Sequence, residues 1–171
     1  ITTICIRIGL RKKNPEKKSD LTMNDLIYHC DMQINKEKLL DEYHELSDKL
    51  STFSGLNPEW LKVHEAGTYG NQLKEMFEKD FGRVAIGYYH QPAGIVIKEH
   101  TDGKCKCRIN IRLSDDDSLL EVNNKKYDYD CSLINVSKYP HSVTSSKTDR
   151  ILFSIIFIDD DFLSVKKKLK K

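Results

Sequence analysis

Apolar residues recur at helical spacing in two places in the first half of the chain. Leu39, Leu40, Tyr43, Leu46 and Leu50 fall on one stripe, and Asn35 stands where its side chain can cap the helix that follows. The spacing predicts a helix running through residue 50. Leu73, Met76 and Phe77 predict a second, shorter helix over Asn71 to Lys79. Beyond it the pattern changes. Short runs rich in Val, Ile, Tyr and Phe alternate with Gly, Pro, Asn and Asp. They predict strands over Arg83 to His90, Gly94 to Lys98, Cys107 to Leu113, Ser118 to Val122, Cys131 to Val136 and Ile151 to Ile158. Leu26-Ile27-Tyr28 reads as one more strand, and Asn123-Asn124, between two β-prone runs, predicts a tight hairpin turn.

Two helices followed by six or more short strands predict a mainly β fold with flanking helices, packed outside a sandwich or a double-sheet jelly roll. Residues 1 to 22 read as a basic N-terminal extension: a β-prone stretch from Ile4 to Ile8, then Gly9 and a lysine-rich linker around Pro15. A single domain is expected over residues 23 to 162, and a lysine-rich, solvated tail over residues 163 to 171. There is no internal repeat. No GxGxxG or P-loop follows a strand, which argues against a nucleotide-binding fold.

Composition narrows the classes. A chain of 171 residues suits one domain with a substantial core. The net charge of +2 gives no argument for nucleic-acid binding, and the basic clusters at either end lack interleaved stacking aromatics. Five cysteines without a regular framework predict reduced thiols and a cytoplasmic setting. Cys105-Lys106-Cys107 has no second pair to complete a zinc site, and its two thiols are expected to share one side of a strand. No apolar run reaches the ~18 residues of a membrane span.

The candidate chemistry lies in the second half. His100 and Asp102 stand two apart at the end of a predicted strand, so both side chains can project from one face, about 7 Å apart at their roots. His141 can join them from another strand. Two imidazoles and one carboxylate on one face of a ferrous ion leave the opposite positions open, the ligand set of non-haem Fe(II) oxygenases. Arg150 opens the apolar strand Ile151 to Phe157. Alternation puts Arg150 and Ser154 on one face and Ile151, Phe153 and Ile155 on the other. A guanidinium at the inner end of such a strand needs an anion, and its planar fork suits a ligand carboxylate. Asp149 is adjacent but points the other way. Among the remaining histidines, His29, His44 and His64 read as surface or packing residues. His90, before a Gln-Pro turn, reads as a surface or packing residue too, with a supporting donor role at the site as the lesser alternative.

The stretch from Tyr89 to Asp159 resembles the aspartyl/asparaginyl β-hydroxylase family of 2-oxoglutarate oxygenases, which includes free-proline hydroxylases. The matching pieces are Tyr88-Tyr89-His90-Gln91-Pro92-Ala93-Gly94, His100-Thr101-Asp102-Gly103 and Arg108-Ile109-Asn110-Ile111-Arg112-Leu113. Tyr139-Pro140-His141-Ser142-Val143 and Asp149-Arg150-Ile151-Leu152 follow in the same order. The resemblance implies a double-stranded β-helix, cupin-like, that binds Fe(II) through His100, Asp102 and His141. It also implies 2-oxoglutarate bound by its distal carboxylate to Arg150, with Arg108 near its metal-binding end and Tyr89, Asn110 and Ser154 as further cosubstrate-binding residues. Asn110 departs from the vertebrate members, which carry a histidine there. Those members have Gly in place of Asp102, and in this respect the chain is closer to the free-amino-acid branch. A family Trp before the distal His strand is replaced by Tyr127 or Tyr129.

The implied activity is hydroxylation of an amino acid or peptidyl side chain by O2, with release of succinate and CO2. Residues 56 to 82 and the loop Ser114 to Ser118 are expected to border the pocket. Two other readings stay open, an oxidative demethylase of nucleic acid and a non-catalytic cupin-like metal-binding module.

Overall fold

A computed structural model describes residues 26–52 and 57–170. The extension expected at residues 1 to 22 lies outside them. The elements in chain order are β1 (Ile27–His29), α1 (Lys36–Leu46), a 3-10 turn (Ser47–Lys49), β2 (Ser51–Thr52), β3 (Leu61–Val63) and α2 (Thr68–Phe81). Then come β4 (Val84–Gln91), β5 (Ile97–His100), β6 (Cys107–Arg112), β7 (Leu120–Val122), β8 (Lys125–Tyr127), β9 (Cys131–Ile134), β10 (His141–Val143), β11 (Arg150–Phe157) and α3 (Phe162–Lys168).

Among the described residues these strands form a seven-stranded sheet, β1-β9-β6-β11-β4-β3-β2, and a four-stranded sheet, β5-β10-β7-β8. Every pairing is antiparallel. The molecule is a double-stranded β-helix, or jelly roll, with helices on one side, as the hydrophobic pattern predicts. Two apolar clusters separate three layers. One holds Leu39, Leu73, Phe77 and Val165 of the helices against Phe153, Ile155 and Phe157 of the large sheet. The other, between the sheets, joins Ile97, Leu120 and Val143 to Tyr89, Leu152 and Ile156. The central strands β4, β6 and β11 thus bury both faces, and alternation decides which side chains meet the helices and which meet the small sheet.

Asn35 caps α1 as expected, its side chain accepting from Lys38 N at 3.0 Å. The helix stops at Leu46, short of residue 50, and continues as the 3-10 turn, where Ser47 Oγ donates back to the His44 carbonyl. α2 begins three residues earlier than its apolar stripe indicates. Its cap comes from another helix: the Glu42 carboxylate of α1 accepts from the N–H groups of Gly67, Tyr69 and Gly70. A Cβ at Gly67 would lie 2.6 Å from Glu42 Cδ, so a larger residue there would displace the carboxylate from this cap. Such a cap between elements distant in sequence leaves no local signal.

Asn123 and Asn124 have φ of 51° and 60° and close the β7–β8 hairpin, the left-handed pair that a type I′ turn demands. β5 starts at Ile97 instead of Gly94, because residues 92–95 form a turn in which Ile95 N donates to the Pro92 carbonyl and Gly94 has φ of 78°. The shift carries His100 into the strand. β3 and β10 are short strands with little periodicity of their own.

The lysine-rich end is not a solvated tail. It forms α3, with Asp161 as N-cap and Phe162, Val165 and Leu169 packed into the helix-side cluster. Lys166 and Lys170 lie over the Tyr28 ring. Cys105 and Cys107 do not share a side either. Cys107 begins β6 and faces the helices, whereas Cys105 precedes the strand and packs between the sheets. No helix among the described residues is long and apolar enough to cross a membrane.

Candidate metal centre

The histidines are brought together by strand register. β10 runs antiparallel to β5 with His141 directly opposite His100, and the two ring centroids are 4.4 Å apart. Asp102 follows β5, fixed by its backbone N–H donating to the Val136 carbonyl at 3.0 Å. One potential ligand atom from each of His100, Asp102 and His141 lies within 4.8 Å of the others, and among the described residues this is the one such group.

The two rings are oriented alike. His100 Nδ1 is 2.8 Å from the Lys98 carbonyl, and His141 Nδ1 is 3.1 Å from the Tyr139 carbonyl. A carbonyl only accepts, so each Nδ1 carries the hydrogen and each Nε2 is left with its lone pair. His100 Nε2 is buried without a hydrogen-bond partner. Burial, reinforced by the neighbouring His100, pushes the His141 imidazole down to about 4. It is therefore neutral at physiological pH, as a metal ligand must be. An orphaned ring nitrogen beside a buried carboxylate and a neutral imidazole fits a divalent cation.

Asp102 has a second partner. Arg108, on β6, is in ion-pair contact with Asp102 Oδ2, while Asp102 Oδ1 stands 3.7 Å from His100 Nε2. The guanidinium lies over the Tyr89 ring at 5.3 Å and reaches Cys105 Sγ at 4.0 Å. Burial is the largest influence and works against its charge, but Asp102, Tyr89 and Cys105 together offset it and hold Arg108 above its ordinary pKa.

A small cavity lies between the sheets, with the ligand triad, Arg108, Asn110 and Arg150 on its wall. Arg150 begins β11 opposite Gln91 and is 2% exposed. One of its terminal nitrogens donates to the Tyr129 hydroxyl, and its Nε is buried without a partner. Asn110 Nδ2 donates to the same hydroxyl at 3.4 Å, while Ser154 Oγ donates to Asn110 Oδ1 at 2.6 Å. With both lone pairs of Tyr129 engaged, its own hydrogen remains to be donated. Leu120, Val143 and Leu152 supply apolar wall.

Six of the eight residues predicted for the site therefore line this cavity. Tyr89 and Ser154 do not. Tyr89 lies beneath Arg108 and beside Trp60, and Ser154 acts on Asn110. His90 belongs to the other face of β4, where it meets the Tyr43 hydroxyl at 3.0 Å and Asp149 at 3.1 Å, so it does not support the site. Asp149 points away from the cavity, as alternation requires. The loop Ser114 to Ser118 is folded on Arg112 and Ser146 and does not line the cavity, whereas Trp60 does. Trp60 packs edge-on to His100 at 5.4 Å. Tyr129 was missed as a site residue. Its sole sequence signal is an aromatic just before β9, and nothing local separates it from Tyr127.

No protein-family model matches the chain, and no curated protein matches it in sequence. Solved structures do match. A prolyl hydroxylase from Trichoplax adhaerens, in complex with a hypoxia inducible factor oxygen degradation domain peptide fragment, is 15% identical at a TM-score of 0.60, covering 82% of this chain and 86% of that one. A Pseudomonas putida prolyl-4-hydroxylase is 8% identical at a TM-score of 0.56, covering 73% of this chain and 86% of that one. At these identities the likeness is one of fold.

Proposed function

We propose that this protein is an Fe(II)- and 2-oxoglutarate-dependent dioxygenase that hydroxylates an amino acid or a peptidyl side chain, releasing succinate and CO2. The observation that carries the reading is one cavity with a His-Asp-His ligand set and a buried, incompletely partnered arginine, Arg150. Charge supports it. The wall holds two guanidinium groups and one carboxylate, with His141 neutral. A divalent cation adds to this positive excess, and a dianionic cosubstrate offsets most of it.

His100, Asp102 and His141 would hold Fe(II), whose chemistry when bound is O2 activation coupled to oxidative decarboxylation of the 2-oxo acid. The protein's residues provide the rest. Arg150 and the Tyr129 hydroxyl hydrogen would grip the distal carboxylate, and the Ser154–Asn110 pair holds Tyr129 in its donating orientation. The apolar wall excludes water from the space between this grip and the ligand triad. Two of the solved structures that share the fold are prolyl hydroxylases, one of them with a peptide, which supports an amino-acid or peptidyl substrate.

Succinate formation from 2-oxoglutarate with Fe(II), screened against amino acids and peptides by a 16-dalton gain in mass, tests the proposal. Turnover is expected in the wild type and not in His100→Ala. Binding of neither Fe(II) nor 2-oxoglutarate at micromolar to millimolar concentration sinks it. Tight metal binding with no decarboxylation for any substrate favours the metal-binding module instead.

A further inference from the structure

We infer that Arg108 is a positioning residue for the metal site: it holds the far oxygen of Asp102 and leaves the near one as the single oxygen offered to the cation. This rests on the metal-site reading above and goes beyond the cosubstrate role that sequence resemblance implies for Arg108, because it operates before any cosubstrate arrives. The geometry is specific. Asp102 Oδ2 contacts an Arg108 terminal nitrogen, and Asp102 Oδ1 faces His100 Nε2 at 3.7 Å. A carboxylate with both oxygens free can turn or chelate in two-oxygen fashion. One whose outer oxygen is drawn by charge to a buried, rigid guanidinium is held toward one orientation.

Arg108 is itself rigid. Its backbone is paired on both sides, with Ile134 of β9 and Ile156 of β11. Its side chain is packed between the Tyr89 ring and Cys105, and the residue is 5% exposed. Asp102 is 8% exposed, and among the described residues Arg108 is the one Lys or Arg in ion-pair contact with it. A carboxylate so buried needs a countercharge whenever no metal is present, and Arg108 supplies it. The ligand set is thus formed in advance. Tyr89, conspicuous in the sequence yet absent from the cavity wall, serves this arrangement as the surface on which the guanidinium rests.

Two opposite effects of Arg108 on metal affinity make the test decisive. A guanidinium acting only through its charge repels the cation, so removing it would tighten binding. One acting through Asp102 orients a ligand, so removing it weakens binding. Co(II) titration of the full chain without 2-oxoglutarate, followed by its visible absorption, separates them. Arg108→Gln is expected to weaken Co(II) binding about ten- to hundredfold, with an altered spectrum. In an Asp102→Ala background the same substitution should change affinity by less than about twofold, because the residue it acts through is gone.

Arg108→Lys keeps the charge and guards against a misfolded Gln variant. It loses the planar fork, and about threefold to tenfold weaker binding with a shifted spectrum is expected. Unchanged or tighter Co(II) binding in Arg108→Gln, or an equal change with and without Asp102, overturns the inference while leaving the metal site standing. Failure of the wild type to bind Co(II) in a His100-dependent way overturns the metal-site reading itself, and this inference with it.

Discussion

Strand β11 turns one face to the helices and the other to the cavity, and the two sides bury polar groups in different ways. Toward the helices it presents Ile151, Phe153, Ile155 and Phe157, packed among Tyr88, Phe77 and Phe81. A buried charge on this side, Glu42, is fully engaged by three backbone N–H groups and by the Tyr88 hydroxyl at 3.0 Å. Burial and that carboxylate push the Tyr88 hydroxyl well above the ordinary tyrosine range, so it stays a donor. Toward the cavity the same strand presents Arg150, Leu152, Ser154 and Ile156, among Arg108, Asn110, Asp102 and His141. Here His100 Nε2, Asp102 Oδ2, Arg108 Nε and Arg150 Nε are buried without hydrogen bonds, Asp102 Oδ2 having only its ion-pair contact with Arg108. Leaving such groups unmatched costs about 1–3 kcal/mol each. The buried carboxylate on the helix side is satisfied as it stands, whereas these cavity-side groups are left for a ligand. Incomplete polar burial, more than polar burial itself, separates function from architecture in this molecule.

The largest expected effect is on the apolar side. Phe153 is fully buried with its ring 5.0 Å from that of Tyr88. Phe153→Ala should cost about 3–5 kcal/mol in urea unfolding, through lost transfer energy and a cavity that rigid strands cannot close. Metal affinity of the folded variant should be unchanged. A coupled loss of metal binding would show that the two faces are not separable.

Glu42→Gln comes next. The amide offers one acceptor oxygen and an NH2 group to a nest of four donors, so at least one donor loses its partner. A cost of about 2 kcal/mol is expected, with the start of α2 fraying first. Hydrogen exchange at Tyr69 and Gly70 measures that directly. Unchanged protection there would mean that the α2 cap does not depend on the carboxylate.

Much of this arrangement is legible in the residue order, and the limits are physical. Alternation along Arg150 to Phe157 assigned each side chain to its face, because a doubly buried strand has no freedom to choose. His100 and Asp102 at i, i+2 were readable for the same reason. What was not readable depends on contacts between distant segments. Glu42 extends α2 from another helix, and the ion pair of Arg108 with Asp102 joins β6 to the loop after β5. Tyr129 enters the site because β9 aligns against β6. The lysine-rich end illustrates pattern overruling composition. Phe162, Val165 and Leu169 stand at helical spacing among the lysines, and their burial against the helix-side cluster outweighs the charge around them. The two cysteines differ because β6 begins at Cys107, where the pattern predicts it, so Cys105 lies outside the strand and obeys no alternation with it.

Arg150→Met is the sharpest probe of the contrast, though its expected effect on stability is the smallest. Methionine has a similar length and no charge, and replacing a buried ion by an apolar side chain is often neutral or stabilising. Its Tyr129 partner keeps the hydrogen bond from Asn110. Unfolding free energy should therefore stay the same or rise by up to about 1 kcal/mol. Affinity of the metal-loaded protein for 2-oxoglutarate should fall about ten- to hundredfold, the worth of a charge-assisted carboxylate contact. Calorimetric titration and urea unfolding on one preparation give both numbers. If Arg150→Met instead destabilises the fold by more than about 2 kcal/mol and leaves 2-oxoglutarate binding intact, then Arg150 belongs with Glu42 as an internally satisfied charge. The contrast between the faces of β11 would then have to rest on the ligand triad alone.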